Sequence, residues 1–471
     1  MEPTNLSFGG GVAQSAVSPV VLAMILIAGV LICVLPRSKA IIPFLAMGIP
    51  IPMDQLLVVG GIHFPMLRVL ALFGFVRMSW AKLSGKDEIF SGGMNGIDKA
   101  MLVLTIFTAI DGMLLWRVSA EAIFQFGNLY TAFGAYFLLR FLIRDEEDVK
   151  RALRVLAIVT VAVAMLMTYE HITGRNPYYA ILGGAYAANF SLAINRSDIF
   201  RARGCFAHPI LAGTFGGFMM PLFAGWWWKD KQERKYALPG VFAAMAIPFL
   251  TGSSTAMFGL IGAVGALCLW PLRRHMRILR WGIVGTLAAG QLYMTSPVWH
   301  IISDVSLSDG SSSYHRYMLV DQCIRHFWEW ALIGTKDMGS WGWDMWDLSN
   351  QYVGIADTAG LIPFLAFLAI LVYGFKYLGR ARNACEGDRK QELFVWAIGA
   401  SLFANVVGFM GVQYFDQIIV AWYMILAIIS AVTLTARNAE TVRQTEFEIA
   451  ETKVSFHPRL AHGSASSNRH N

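Results

Sequence analysis

The chain reads as an all-α polytopic integral membrane protein of about 12 to 13 transmembrane helices, with a large extracytoplasmic loop carrying short amphipathic helices. Three observations predict this class. Of the 471 residues, 56% are hydrophobic and only 15% charged, with a mean hydropathy of +0.51, far from the values of an ordinary soluble domain. Apolar runs approaching the roughly 20 residues that a bilayer core demands recur along most of the chain. Basic clusters separate these runs at alternate ends, the pattern that cytoplasmic loops produce.

The first apolar run covers Pro19 to Leu35. The second, Ile41 to Ile62, contains Pro43, Pro50 and Pro52 with Asp54, which predicts a broken or re-entrant helix whose freed backbone groups need protein cover. Further spans follow at Met66 to Trp80, Met101 to Trp116, Ile123 to Leu142 and Val155 to Tyr169. After a polar interval come Ile210 to Trp228, Ala237 to Leu250, Ala256 to Trp270 and Trp281 to Met294. The last three are Ala359 to Leu378, Leu393 to Val412 and Ile418 to Thr435. Thirteen spans put the N-terminus outside; a broken second segment gives twelve and puts it inside.

Arg37 and Lys39, Lys82 and Lys86, Arg144 to Arg154, Lys229 to Lys235, Arg273 to Arg280, and Lys376 to Lys390 all fall on one face of such a bundle. That face is expected to be cytoplasmic. The other face receives Arg117 to Glu121, Glu170 to Pro209, Gly252 to Thr255, Ser296 to about Ala356, and Gln413 to Asp416. The organisation expected is an N-terminal transmembrane bundle (1–198), a transmembrane core (199–436) with its outer loop (296–356), and a mobile cytoplasmic tail (437–471) rich in Thr, Glu, Gln and Ser. Glu2 is the only charge before Arg37, so a cleaved signal peptide is not expected.

The net charge of +7 is accounted for by the inner-face loops, and no basic run with interleaved aromatics points to nucleic acid. Cys33, Cys205, Cys268, Cys323 and Cys385 lack metal-ligand spacing, so neither a metal nor another cofactor is expected. Cys205 and Cys323 share the outer face, where either a disulfide or two small half-buried residues would fit.

Ile199 to Pro209 is a polar island at the lip of an apolar span, holding Arg201, Arg203, Gly204 and His208. Arginine offers a permanently charged, forked donor suited to phosphate, and beside a membrane such a charge is costly without a partner. A phosphate-bearing lipid is the substrate class this pattern favours. The outer loop carries a second constellation. Arg316 follows His315 on a segment with amphipathic spacing, and can face a cavity, snorkel to headgroups or pair with Asp321; Arg325 is the other snorkelling candidate. The tryptophans of this loop suit an interfacial belt, and those near Asp344, Asp347 and Asn350, Trp343 among them, also suit a sugar face. The run Gly334 to Gly339 lacks the ending and preceding strand of a nucleotide-binding loop.

Between Asp198 and Leu378 the order of these elements resembles the bacterial O-antigen ligase and O-antigen polymerase superfamily, multi-span glycosyltransferases acting on undecaprenyl-pyrophosphate-linked glycans. The matching residues are Arg201, Gly204, Phe206 and Pro209; the Ser-rich turn in Leu250 to Ala263; Arg316; and Asn350-Gln-Tyr-Val before a small-residue helix. The chain departs from the family pattern at Ser254, where an arginine is usual, and at Ser349, where a histidine is usual, so it is similar to a divergent member.

The resemblance implies glycosyl transfer on the extracytoplasmic side of a bacterial inner membrane, without metal. Arg201, Arg203 and Arg316 would neutralise the departing pyrophosphate, with Ser253, Ser254 and the helix they open as further anion ligands. His208, His315 or Asp347 would serve as general base. Trp343, Asp344, Asp347, Ser349 and Asn350 would contact substrate. The partners implied are an undecaprenyl-pyrophosphate-linked oligosaccharide, a glycan acceptor, membrane lipids and a chain-length regulator. An O-antigen or exopolysaccharide polymerase is favoured over a ligase to a lipid or protein acceptor. A lipid-linked glycan transporter or flippase is the competing class, kept open by Arg68, Asp111 and Gln291.

Overall fold

The computed structural model describes residues 14–52, 54–85, 88–185, 189, 191–196, 199–304 and 313–455, with backbone alone at 195, 196 and 440–455. Of the positions singled out above, Glu2, Lys86, Asp198 and residues 456–471 lie outside the described residues.

Helix α1 (Pro19–Val34) starts with proline at its first position, where the missing N–H would have no partner anyway. After Pro36 the chain enters α2 (Arg37–Gly48). The next residues form an antiparallel hairpin, β1 (Leu56–Val59) with β2 (Ile62–Pro65), turned by Gly60 and Gly61 at φ 58° and 82°. Positive φ at both turn positions is the geometry of a two-residue hairpin loop, and glycine adopts it without strain. The expected segment Ile41 to Ile62 is broken, as its prolines predict: only its part up to Gly48 is helical, ending short of Pro50 and Pro52, and strands follow.

Helices α3 (Met66–Leu83), α4 (Gly96–Trp116), α5 (Ser119–Leu142) and α6 (Glu146–Thr173) follow. Asn95 and Asp98 form a reciprocal capping box at the start of α4. A one-and-a-half-turn helix, α7 (Pro177–Leu182), and a second hairpin, β3 (Ile194–Arg196) with β4 (Ile199–Arg201), lead to α8 (Pro209–Lys229), α9 (Arg234–Leu250) and α10 (Ser254–Cys268). A 3-10 turn at Trp270–His275 connects to α11 (Met276–Tyr293). The outer loop holds α12 (Ile301–Asp304), α13 (Ser313–Arg325), α14 (Phe327–Trp330) and α15 (Gln351–Ala359). The chain ends in α16 (Leu361–Ala384), α17 (Arg389–Phe409) and α18 (Ile418–Ser455). The last helix runs well past Arg437, where a mobile tail was expected.

Among the described residues six helices are long and apolar enough to cross a membrane: α4, α6, α8, α16, α17 and the Ile418–Ala439 part of α18. The segments Ser254–Cys268 and Trp270–Tyr293, bent by 75°, would together make a seventh. This is fewer than the 12 to 13 expected, for reasons of length and composition. Helix α1 has 16 residues and α9 has 17, α3 carries Arg68, Arg77 and Lys82, and α5 is made less apolar by Gln125, Asn128 and Thr131 in its interior.

Helix α8 is the centre of the bundle, buried without interruption from Leu211 to Trp226. Its glycines let neighbours close in; a Cβ on Gly216 would lie 2.7 Å from the Ala244 carbonyl oxygen. One buried apolar cluster extends from Val21 to Ala436, so the helices before and after residue 199 share a core. A smaller cluster around Leu319, Trp330, Trp341 and Val353 gives the outer loop its own interior.

Polar contacts fix which helix ends meet. At one end Arg37 pairs with Asp148 at 2.6 Å, Lys229 with Glu146 at 2.7 Å, and Arg273 with Glu392 at 3.3 Å. Arg154 also pairs with Glu233 there. Most of the basic clusters that the sequence places on one face thus gather at a single charged end. The opposite end collects the C-terminus of α6, the N-termini of α8, α10 and α15, and the turn between α17 and α18.

Candidate functional site

The polar island at this second end is fixed residue by residue. Glu170, fully buried in the last turn of α6, accepts through Oε2 from the backbone N–H of Gly204 at 2.8 Å and of Arg203 at 3.2 Å. Its Oε1 accepts from Asn176 Nδ2 at 3.0 Å, and the same amide donates to the Gly204 carbonyl at 2.8 Å. Gly204 sits at φ 61°, and a Cβ there would come within 2.9 Å of Met167 Cγ. Ala202 N donates to the Leu250 carbonyl at 3.0 Å, Gln417 Nε2 to the Cys205 carbonyl at 2.7 Å, and Ala207 N to Asp416 Oδ2 at 2.7 Å. A buried backbone so fully bonded is a rigid platform.

Two arginines meet the turn between α9 and α10 from opposite sequence directions. Arg201 donates through Nε to the Thr251 carbonyl at 2.9 Å. Arg316, from α13, donates through Nη2 to Thr255 Oγ1 at 2.7 Å. Each is 9% exposed. Between them Gly252, at φ 54°, leaves room for Arg201, whose Cγ would lie 3.5 Å from an added Cβ. Arg316 Nε is buried without a hydrogen-bond partner, and among the described residues its guanidinium forms no ion pair. Burial lowers its pKa, a trend that Asp347 opposes. Asp321, the alternative partner in the sequence, is taken by Arg325 at 2.6 Å and by Trp299 Nε1 at 3.1 Å.

Arg203 goes elsewhere. Its Nη2 donates to the Leu192 carbonyl at 2.6 Å, and its guanidinium lies 6.0 Å from the Tyr179 ring centre. Burial lowers its pKa, partly offset by Glu170.

The histidines are both engaged in structure. His208 is the N-cap of α8, its Nδ1 accepting from Ile210 N at 3.2 Å. Burial, then Arg201 and Arg203, push its pKa down to about 4, so the ring is neutral near pH 7 and Nε2 stays available. His315 Nε2 donates to the Asp344 carbonyl at 2.9 Å, while Nδ1 accepts from Ser349 Oγ at 3.4 Å. Asp344 holds φ 62° in that loop. Its carbonyl, not its carboxylate, makes the contact with His315.

Three helix N-termini point to the same region. Asn350 caps α15, accepting from Tyr352 N at 2.9 Å and Val353 N at 3.2 Å, so its amide oxygen is committed to the backbone. Ser253 occupies the N-cap position of α10 but makes no capping hydrogen bond, and half-buried Ser254 begins the helix. Asp347 and Trp343 lie exposed, Trp343 at 91%; the structure does not bring these two into the buried cluster. None of the five cysteines forms a disulfide, which removes a Cys205–Cys323 bridge. Among the described residues no group of three His, Cys, Asp or Glu side chains is placed to hold a metal ion.

Glu170 and Thr255 are the residues that sequence reasoning missed. Thr255 stood in plain view in the Ser-Ser-Thr run, but nothing in the chain ties it to an arginine 61 positions later. What the arrangement can do is bind an anion: a guanidinium withdrawn from water beside uncapped helix N–H groups favours negative charge far more than either does in bulk solvent. No family model matches the chain, and no curated protein matches it.

Proposed function

We propose that the chain is a membrane glycosyltransferase that moves or polymerises oligosaccharide units from an undecaprenyl-pyrophosphate-linked donor. The observation that carries this reading is Arg316, 9% exposed, bonded to Thr255 and holding an unsatisfied Nε at the same turn that Arg201 reaches. A buried guanidinium with donor capacity left over suits an anionic group arriving from outside the fold.

In the proposed reaction an acceptor hydroxyl attacks the anomeric carbon, the bond to the lipid pyrophosphate breaks, and the leaving oxygen takes the electron pair. Arg316 and Arg201 offset the charge that grows there, with the N–H groups opening α10. His208 Nε2 is the base the geometry favours, since both nitrogens of His315 already hold the 344–349 loop.

Successive helices run between the charged end and the site end, which supports about thirteen crossings with the shorter helices included. The charged end would face the cytoplasm and the site the outside of a bacterial cytoplasmic membrane. A transporter of lipid-linked glycan is the second reading, favoured by Asp111, 6% exposed in α4 with Oδ2 unbonded.

The test is reconstitution of the full chain with an undecaprenyl-pyrophosphate oligosaccharide, comparing wild type with Arg201→Ala, Arg203→Ala and Arg316→Ala. Glycan extension with release of lipid pyrophosphate, lost in folded Arg316→Ala and Arg201→Ala, supports transfer. A product ladder indicates a polymerase and a single addition a ligase. Intact donor that crosses the bilayer would sink the transferase reading.

A further inference from the structure

The charged end of the bundle, at the far end of α10 from the Thr251–Thr255 turn, contains a cavity of about 650 Å3. Its size falls within the range of small-molecule sites. Four indoles line it: Trp227 and Trp228 from the last turn of α8, Trp270 after α10, and Trp396 in α17. They are fixed by their own contacts. Trp396 Nε1 donates to the Ala266 carbonyl at 2.8 Å, and its ring meets that of Trp270 edge-on with centres 5.9 Å apart.

The remaining polar lining is entirely cationic. Arg234 lies over the Trp227 ring at 5.0 Å and donates to the Trp227 carbonyl at 3.2 Å. Arg389 and Lys390, at the start of α17, complete the wall. Three cations of this end outside the lining are matched by acids: Lys229 with Glu146 at 2.7 Å, Arg273 with Glu392 at 3.3 Å, and Arg274 with Glu386 at 2.9 Å. Among the described residues Arg389 and Lys390 form no ion pair, and no carboxylate lines the cavity. Aromatic walls with uncompensated cations, at the ends of helices that cross a membrane, match an amphiphile whose head is negative and whose body is apolar.

We propose that this cavity binds one anionic phospholipid, its phosphate held by Arg389 and Lys390 and its apolar portion laid against the tryptophans. The site is separate from the glycosyl-transfer reading and rests only on the helices crossing a membrane. The full chain in detergent is titrated with dioleoyl phosphatidylglycerol, dioleoyl phosphatidylcholine and glycerol 3-phosphate, and bound species are counted by native mass spectrometry. The expected result is a single phosphatidylglycerol retained about tenfold more tightly than phosphatidylcholine: both carry the phosphate, but only phosphatidylcholine adds a quaternary ammonium that the two cations repel, and tenfold corresponds to about 1.4 kcal/mol. The Arg389→Gln/Lys390→Gln variant should lose this preference. Both side chains are exposed, so an unchanged melting temperature is expected and separates lost binding from lost fold. Arg274→Gln, which breaks a pair outside the cavity lining, should keep the preference. Equal retention of the two lipids, or an unchanged preference in the double variant, overturns the proposal. So does full displacement by glycerol 3-phosphate, which would make free phosphate chemistry the ligand.

Discussion

Arg316 Nη2 and Thr255 Oγ1 lie 2.7 Å apart, joining the outer loop to the first turn of α10. Thr255 is itself buried at 3% exposure and reaches the Gly411 carbonyl at 3.5 Å, so one hydroxyl ties together α10, α13 and the turn after α17. The contact holds the guanidinium in the buried region where an anion would meet it.

Thr255→Val keeps the shape and removes the acceptor. A hydrogen bond to a charged group contributes about 1.5–3 kcal/mol, so transfer in the reconstituted assay should fall roughly ten- to a hundredfold. Thr255→Ser restores the oxygen and should stay close to wild type. Equal activity of the valine and serine variants would show that the contact does not position Arg316 for the reaction.

Gly204→Ala should loosen the polar island. At φ 61° an alanine is strained by about 1 kcal/mol or more, and its Cβ would press Met167 Cγ from 2.9 Å. A melting temperature lowered by a few degrees, partly recovered in Gly204→Ala/Met167→Ala, is the expected outcome. If the second substitution recovers nothing, backbone conformation alone accounts for the loss.

The parts of this structure legible in the sequence are those with a local physical signal. Charge next to apolar runs marked most of the basic clusters that pair with Asp148, Glu146 and Glu392 at one end. The expense of arginine beside a membrane marked Arg201 and Arg203, of which Arg201 reaches the Thr251 turn and Arg203 bonds to the Leu192 carbonyl instead, and amphipathic spacing marked Arg316. What escaped was non-local or ambiguous. Val58-Val59-Gly60-Gly61-Ile62 is a hairpin signal, yet a short apolar run looks alike as strand or helix. Asp98 is paired at 2.9 Å with Arg140 and accepts from Tyr136 at 2.6 Å, a fully buried group whose partners lie two helices' length away in sequence. The role of Glu170 depends on α6 delivering a carboxylate beneath Gly204, which no spacing in the chain encodes.

Glu170→Gln tests that role through donor and acceptor identity. The glutamine oxygen can still accept from Arg203 N and Gly204 N, but its NH2 would then face the Asn176 amide nitrogen. Asn176 cannot turn over to help, because its oxygen caps α7 through Tyr178 N at 3.0 Å. Two buried donors in contact should destabilise the fold by about 1–3 kcal/mol. Thermal unfolding of Glu170→Gln, Asn176→Ala and the double variant checks this. The double variant should lose less than the sum of the single losses, and strict additivity would show no coupling between the two side chains.

His208 gives the structure a pH dependence with a defined sign. Burial and the neighbouring Arg201 and Arg203 depress its folded pKa to about 4 from an ordinary value of 6.5. Between those values the unfolded chain binds a proton that the folded chain does not, so stability falls as pH drops through that window and levels off below it. Above about pH 6.5 both states are neutral at this residue and its contribution is constant. His208→Asn keeps an acceptor for the Ile210 N–H at the start of α8 and cannot titrate. The melting temperature of wild type should therefore fall faster than that of His208→Asn between pH 6.5 and 4, with the two curves parallel above that range. Arg201→Gln removes one of the charges holding the pKa down and should narrow the gap. Parallel curves for wild type and His208→Asn across the whole range would show that His208 is not held neutral by its surroundings.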